Sequence, residues 1–128
     1  MIDGGKYEGN FIACVDSNAK IIINDCVFCT ESYPATAIVM TTNDYNSATV
    51  TINGGTFYSE AICNNSVDIV ITGGTFYLTN GISDYPNLIT KDDITITGGK
   101  FNKDPSAYVP STHQAIKGAD GFWTVTAK

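Results

Sequence analysis

One short motif recurs along the chain, and its recurrence constrains the fold more than any other feature of the sequence. The motif reads Ile-x-Gly-Gly-x-Phe or a close variant, and its copies begin at residues 2, 23, 52, 71 and 96. Self-similarity at intervals of about 20 residues or more is typical of a solenoid, because one unit buries its apolar face only when the next unit stacks on it. The five copies are Ile2–Tyr7, Ile23–Phe28, Ile52–Phe57, Ile71–Phe76 and Ile96–Phe101.

Short alternating stretches lead into the later copies of this motif, which we call the hexad. They read Val-Thr-Ile at residues 50–52, Ile-Val-Ile at 69–71 and Ile-Thr-Ile at 94–96. Because successive side chains of a strand point to opposite faces, the outer two residues of each triplet are predicted to point into the core. The Gly-Gly pair is predicted to form a corner, after which the aromatic residue returns to the interior. Each coil therefore reads as strand, corner, strand.

Length and composition fit a single all-β domain. The chain has 128 residues, of which 43% are hydrophobic, and it is rich in residues that favour strands and tight turns. We therefore expect a short right-handed parallel β-solenoid of about five coils over residues 1–101. Residues 102–128 break the repeat and are predicted to form a C-terminal capping segment, a β-hairpin that turns at Asp120-Gly121.

The second coil departs from the pattern. Asp25-Cys26 replaces the glycine pair, and the longest insertion, residues 29–48, follows this hexad. Within the insertion, residues 37–40 (Ala-Ile-Val-Met) are predicted to add a core strand, and residues 43–46 (Asn-Asp-Tyr-Asn) to form a projecting turn.

The hexads resemble those of pectin-lyase-like right-handed parallel β-helices in surface proteins and phage virion proteins. The run Gly98–Val109, followed by residues 115–117 and 123–125, resembles the ends of repeat regions in gut-bacterial secreted proteins and their phages. The resemblance covers nearly the whole chain. It implies a virion or extracellular, cell-surface location, and partners that are either further copies of the chain, as a homotrimer, or other virion and surface proteins.

Departures from related families argue against an enzyme. The hexads lack the second Gly and the Asp of calcium-binding nonapeptide β-rolls, and the chain has no Arg and no Asp cluster that recurs at coil spacing. The active sites of pectate-lyase-like and galacturonase-like enzymes therefore have no counterpart here. His113 is the only histidine, so it supports neither a multi-histidine metal site nor a catalytic triad, and we expect it in a surface loop. We expect no catalytic residue, no metal ligand and no cofactor.

Charge and hydropathy restrict the partners. The formal net charge is -6, with thirteen acidic residues against seven lysines, so a nucleic-acid partner is disfavoured. No apolar run reaches about 18 residues, so no membrane insertion is expected. The four cysteines match no known disulfide framework, and we expect Cys26 and Cys29 to be small core residues rather than a redox or metal pair.

Tyrosines form the most suggestive set of polar aromatic residues. Tyr58 and Tyr77 each follow a hexad Phe directly, so they are predicted to turn outward at equivalent positions of adjacent coils. Tyr45 lies in the projecting turn of the insertion. These three residues are the candidate ligand-binding residues, for a sugar ring or a protein partner. The alternative for Tyr58 and Tyr77 is an ordinary cross-strand pair that only stabilises the sheet.

The sequence favours a noncatalytic structural or adhesive β-solenoid module, such as a phage head fibre, decoration or tail component or a bacterial surface adhesin. One alternative is a carbohydrate-binding module, which would use the exposed aromatic residues to bind glycans. A second alternative is a fragment of a polysaccharide-active β-helix enzyme, which the resemblance alone favours. Clustered carboxylates in a groove on one face would support the enzyme.

Overall fold

A computed structural model describes residues 2–8, 12–13, 20–40, 49–63, 68–79 and 94–128. These residues form an all-β fold, with no α-helix among them. A single 3-10 turn, Ser106–Tyr108, is the one helical element in the described ranges. The strands are β1 (Ile2–Tyr7), β2 (Ile12–Ala13), β3 (Lys20–Phe28), β4 (Ala35–Met40), β5 (Thr49–Ile52), β6 (Thr56–Cys63), β7 (Asp68–Ile71), β8 (Thr75–Leu78), β9 (Ile94–Ile96), β10 (Lys100–Phe101), β11 (His113–Lys117) and β12 (Trp123–Ala127).

The strands belong to one mostly parallel, strongly curled sheet. The N-terminal half of β3 pairs with β5, β5 with β7 and β7 with β9, all parallel. The C-terminal half of β3 pairs with β6, β6 with β8 and β8 with β10, again parallel. A third parallel run joins β2, β4 and β6. Consecutive hexads therefore lie side by side.

The register aligns the four later hexads position by position. Ile23 pairs with Ile52, Ile52 with Ile71 and Ile71 with Ile96, and the hexad phenylalanines pair in the same order. All of these side chains are buried in one core. The prediction that Val50, Ile69 and Ile94 also point inward is confirmed, since each is at most 1% exposed.

The hexad phenylalanines form a ladder inside the curl. The ring centroids of Phe57 and Phe76 are 4.9 Å apart, and those of Phe76 and Phe101 are 4.7 Å apart, with nearly parallel planes in both pairs. Phe28 continues the ladder at 6.5 Å, but its ring is tilted by 58°. Offset or stacked aromatic pairs stabilise a core beyond the area that they bury. This ladder therefore adds aromatic contacts to the apolar core.

The two glycines of the third, fourth and fifth hexads serve different purposes. The first approaches the carbonyl of the preceding coil, so that a Cβ on Gly73 would lie 2.3 Å from the carbonyl oxygen of Asn53, and one on Gly98 would lie 2.0 Å from that of Thr72. The second has a positive φ, as at Gly74 (102°), which side chains with a Cβ rarely adopt. Both glycines are therefore needed to make the corner and keep the coils close.

The second coil lacks these glycines and has a different corner. There β3 runs on through residues 24–26 as one nine-residue strand, whereas each later hexad is divided between two strands. Asp25 carries a Cβ at the position where the later coils have a glycine, and the pairing with β1 slips so that Asp3 lies opposite Asp25. The departure seen in the sequence thus changes the backbone and the register.

Polar side chains form a second ladder at the corner. Asn53 donates its side-chain amide N–H to Oδ1 of Asn24 (2.8 Å) and accepts the hydroxyl of Thr72 at Oδ1 (2.7 Å). Asn24 in turn donates to Oδ1 of Asp3 (2.8 Å). All of these residues hold the second position of a hexad, so in-register stacking of the coils also pairs their polar groups.

Two further sequence predictions are confirmed. Residues 37–40 lie within β4, where Ile38 is fully buried. β11 and β12 form an antiparallel hairpin whose turn contains Asp120 and Gly121, and β12 pairs antiparallel with β10. Val125 of this hairpin is buried in the common core. The predicted projecting turn at residues 43–46 lies outside the described residues.

Candidate functional site

Tyr58 of β6 and Tyr77 of β8 lie directly opposite each other in the parallel pairing. Their rings stack with centroids 4.7 Å apart and planes inclined by 8°. Both side chains are half-buried rather than fully turned to water: Tyr58 packs against the core, and Tyr77 contacts the rings of Tyr58 and Phe122. Tyr45, the third candidate, lies outside the described residues. The structure therefore brings two of the three candidate residues together.

The hairpin closes one side of this tyrosine pair. Phe122, which precedes β12, meets the ring of Tyr77 edge-on with centroids 5.4 Å apart. Lys100 Nζ lies 5.2 Å from the centre of the Phe122 ring and 2.8 Å from Oδ2 of Asp120. Asp120 Oδ1 accepts the backbone N–H of Phe122 (3.0 Å). These contacts hold Phe122 against the tyrosines.

The ion pair changes the titration of both partners. The hydrogen bond from Lys100 and the backbone N–H of Phe122 lower the pKa of Asp120, and the same carboxylate raises the pKa of Lys100. Because the folded-state pKa of Asp120 is lowered, its stabilising contribution is present at neutral pH and is lost as the pH falls through that pKa. Both groups are exposed to solvent, so the pair chiefly positions Phe122.

A change of direction in the second coil opens the other side of the tyrosine pair. Phe28 pairs with Phe57, so Cys29 takes the position in its coil that Tyr58 takes in the next. Cys29 is buried and has a φ of 62°, and it is the one non-glycine residue with positive φ among the described residues. The chain then turns through residues 30–34 instead of continuing the strand. The second hexad is therefore not followed by an aromatic ring that would extend the tyrosine pair.

A groove results beside the tyrosine pair. It has a volume of about 140 Å³, and its lining residues follow the second, third, fourth and fifth hexads. At a strand spacing of about 4.8 Å, four adjacent strands span roughly 14 Å. The groove joins aromatic surface to a carboxylate, a hydroxyl and an amide, all able to hydrogen-bond a polar ligand. Its lining residues are Glu31, Pro34, Tyr58, Tyr77, Thr79 and Asn102.

A second, larger groove lies on the other side of residues 30–34. Its volume is about 580 Å³. Pro34 borders both grooves, and Tyr33, whose side chain is 83% exposed, stands in the second. Two carboxylates, Glu8 and Glu60, also line it. We call the smaller one the tyrosine groove and the larger one the acidic groove.

Asn102 binds the backbone of Leu78 at one end of the tyrosine groove. It follows the hexad Phe101, as Tyr58 and Tyr77 follow theirs. Its Oδ1 accepts the backbone N–H of Leu78 (2.7 Å), and its Nδ2 donates to the carbonyl of Leu78 (2.9 Å). The side-chain amide of Asn102 thus makes the two hydrogen bonds that the backbone of a neighbouring strand would make with Leu78. One N–H of the amide group is left over and can serve a ligand.

Replacing Asn102 by alanine is expected to destabilise the domain. The substitution leaves the backbone N–H and carbonyl of Leu78, whose side chain is fully buried, without these partners, and we expect a loss of about 2 kcal/mol in the free energy of unfolding. Urea denaturation measures it. The matched control is Asn53→Ala. The side-chain hydrogen bonds of Asn53 are exposed, so we expect a loss of about 0.5–1 kcal/mol in the free energy of unfolding. Equal losses in the two variants would contradict the assigned role of Asn102.

In the described part of the chain, the cysteine and histidine side chains do not come together in a catalytic or metal-binding site. Cys26 and Cys29 are buried, as predicted, and burial together with the neighbouring Asp25 raises the pKa of the Cys26 thiol. The side chains of Cys14 and Cys63 lie outside the described residues. His113 opens β11 and its Nδ1 lies 2.8 Å from Oγ1 of Thr112, so its expected position in a surface loop is wrong. Among the described residues, no three His, Cys, Asp or Glu side chains are grouped as metal ligands would be.

Sequence reasoning missed most of the groove. Glu31, Pro34 and Thr79 have no pattern that marks them, although Asn102 could have been found because it occupies the same hexad-following position as the two tyrosines. The described residues include no helix long and apolar enough to cross a membrane. Comparison of the chain with family models, with curated proteins and with solved structures found no match.

Proposed function

We propose that the chain is a noncatalytic structural and adhesive module that binds glycans along the tyrosine groove. In this proposal the curled sheet is a short right-handed parallel β-solenoid of five coils, and the β11–β12 hairpin is its C-terminal cap. The module would be displayed on a phage particle or a bacterial surface. Its protein partners would be copies of itself, in a homotrimer, or neighbouring virion or surface proteins.

The solenoid and cap are supported by the pairing of strands. Equivalent hexads stack in parallel with their Ile and Phe side chains in common columns, as the coils of a solenoid must. β12 pairs with the edge of β10, the last hexad strand, and Val125 and Trp123 pack against the core. A solenoid end without such cover would expose both a strand edge and the apolar interior.

Glycan binding is supported above all by one observation, the stacked tyrosine pair that borders a polar groove. Tyrosine presents an apolar ring and a hydroxyl at low conformational-entropy cost, a combination that suits the apolar faces and the hydroxyl edges of a sugar. The rings are already held together and backed by Phe122, so little ordering is needed when a ligand binds. A rigid repeat with a preformed groove suits adhesion.

Removing one ring of the pair is expected to weaken glycan binding strongly. We expect Tyr58→Ala and Tyr77→Ala each to weaken binding of a glycan by about tenfold or more, because each ring supplies a large part of the contact surface. A glycan array identifies the ligand, and isothermal titration calorimetry with that ligand measures the loss.

The matched control is Tyr7→Ala. Tyr7 is exposed and lines neither groove, so this variant should bind as the unsubstituted chain does. Circular dichroism and urea denaturation establish that each variant is folded. Unchanged affinity in folded Tyr58→Ala and Tyr77→Ala would refute the groove as the binding site, and an array without any bound glycan would refute the function.

A further inference from the structure

Both grooves are lined by carboxylates and therefore carry negative charge. Glu31 lines the tyrosine groove, and Glu8 and Glu60 line the acidic groove on the other side of residues 30–34. None of the described residues that line either groove is a lysine. Lys100, on the Phe122 side of the tyrosine pair, is already engaged by Asp120. A ligand in these grooves therefore meets carboxylates and no free cation from this lining.

We infer that the grooves select a glycan that has no carboxylate or sulfate groups, that is, a chain of neutral or amino sugars. This inference rests on the proposed glycan-binding function and names its ligand class. The alternative class is acidic polysaccharides, which carry carboxylate or sulfate groups. The charge of the groove decides between the two classes.

Electrostatics and hydrogen bonding favour the same ligands. A uronic acid or sulfate group beside Glu31 or Glu60 would place like charges together without a lysine among the described lining residues to compensate, which disfavours the complex. Carboxylates accept hydrogen bonds strongly from hydroxyl groups, and they pair with the ammonium of an amino sugar. The aromatic faces of Tyr58 and Tyr77 attract cations rather than anions, so they favour the same ligands as the acidic residues around them.

The two grooves offer one path for an extended ligand. Asn102 and Thr79 lie at one end of the tyrosine groove, and Glu31 and Pro34 lie at the other. Pro34 also borders the acidic groove, where exposed Tyr33 offers a further ring. A glycan chain that passes residues 30–34 would meet aromatic rings on both sides of them. We therefore expect longer oligosaccharides to bind more tightly than single sugars.

The test compares neutral, amino-sugar and acidic polysaccharides as probes for the whole chain. Affinity gel electrophoresis with glucomannan, xyloglucan, hydroxyethyl cellulose, glycol chitosan and polygalacturonate gives relative affinities, and titration calorimetry refines them. We expect at least one neutral or amino-sugar polymer to bind, and polygalacturonate to bind about tenfold more weakly or not at all.

Charge-reversal variants separate a local effect of the groove from the net charge of the chain. Glu31→Lys should raise the affinity for polygalacturonate by about tenfold, because it removes a repulsive charge and adds a cation inside the groove. Asp68→Lys changes the net charge equally at an exposed position that lines neither groove, and it should leave the affinity unchanged.

The polysaccharide comparison distinguishes failure of the inferred ligand class from failure of the proposed glycan-binding function. Polygalacturonate binding as tightly as the best neutral or amino-sugar polymer would overturn the inferred ligand class and leave glycan binding standing. If no polysaccharide of either class binds, the proposed function itself fails, and the ligand class fails with it. Equal gains from Glu31→Lys and Asp68→Lys would also overturn the inference, because the effect would then belong to the net charge.

Discussion

Gly98→Ala is expected to cost about 4 kcal/mol or more in the free energy of unfolding, which is exceptional for the addition of one methyl group. The new Cβ would lie 2.0 Å from the carbonyl oxygen of Thr72, and the nearby carbonyl carbon would be 2.7 Å away. Both atoms belong to the backbone of the preceding coil, so no flexible side chain can move aside. The two coils must separate, which weakens their shared ladder and the apolar column behind it.

Urea denaturation of Gly98→Ala and Gly121→Ala separates this close approach from backbone strain. Gly121 has a φ of 84°, and no atom lies within 4 Å of the point that a Cβ would occupy, so alanine there suffers only an unfavourable conformation. We expect a loss of about 1–2 kcal/mol for Gly121→Ala. A loss for Gly98→Ala no larger than that of Gly121→Ala would contradict the close stacking of the coils.

Phe76→Ala is the second substitution with a large expected effect. Phe76 is fully buried between Phe57 and Phe101, and its ring stacks on both. Its removal leaves a cavity in the middle of the ladder and eliminates two aromatic contacts, so we expect a loss of about 4 kcal/mol in the free energy of unfolding. Thermal or urea unfolding monitored by circular dichroism measures it.

Two companion variants interpret the Phe76→Ala result. Phe76→Leu keeps most of the volume but loses the stacking, and we expect a cost of about 1–2 kcal/mol. Ile116→Ala removes a large side chain that is 52% exposed, and we expect a change within about 0.5 kcal/mol. A Phe76→Ala variant as stable as Ile116→Ala would show that the ring is not in the core.

The sequence predicted the stacking of the hexads because the repeat itself encodes it. Apolar residues at fixed positions of each copy can all be buried only when the copies align in register, and this alignment is what the strand pairing has. The second coil was harder to predict. The loss of its glycines was visible at Asp25-Cys26, but no residue of the hexad marks the slipped pairing with β1.

The candidate site could be predicted only where it follows the repeat. Tyr58 and Tyr77 are neighbours because both follow a hexad Phe, so register alone brings them together. Glu31 reaches the groove because Cys29 turns the chain, and Phe122 reaches it because the hairpin folds back on β10. Such placements arise from turns and from pairing across the sheet, and no local sequence pattern reports them.

Nuclear Overhauser spectroscopy on the chain with selectively labelled phenylalanine and tyrosine is the decisive test of the stacked-coil architecture. We expect ring-to-ring effects between Phe57 and Phe76, between Phe76 and Phe101 and between Tyr58 and Tyr77, with none between Phe57 and Phe101. A direct effect between Phe57 and Phe101, or its absence between Tyr58 and Tyr77, would contradict the register on which both the fold and the groove depend.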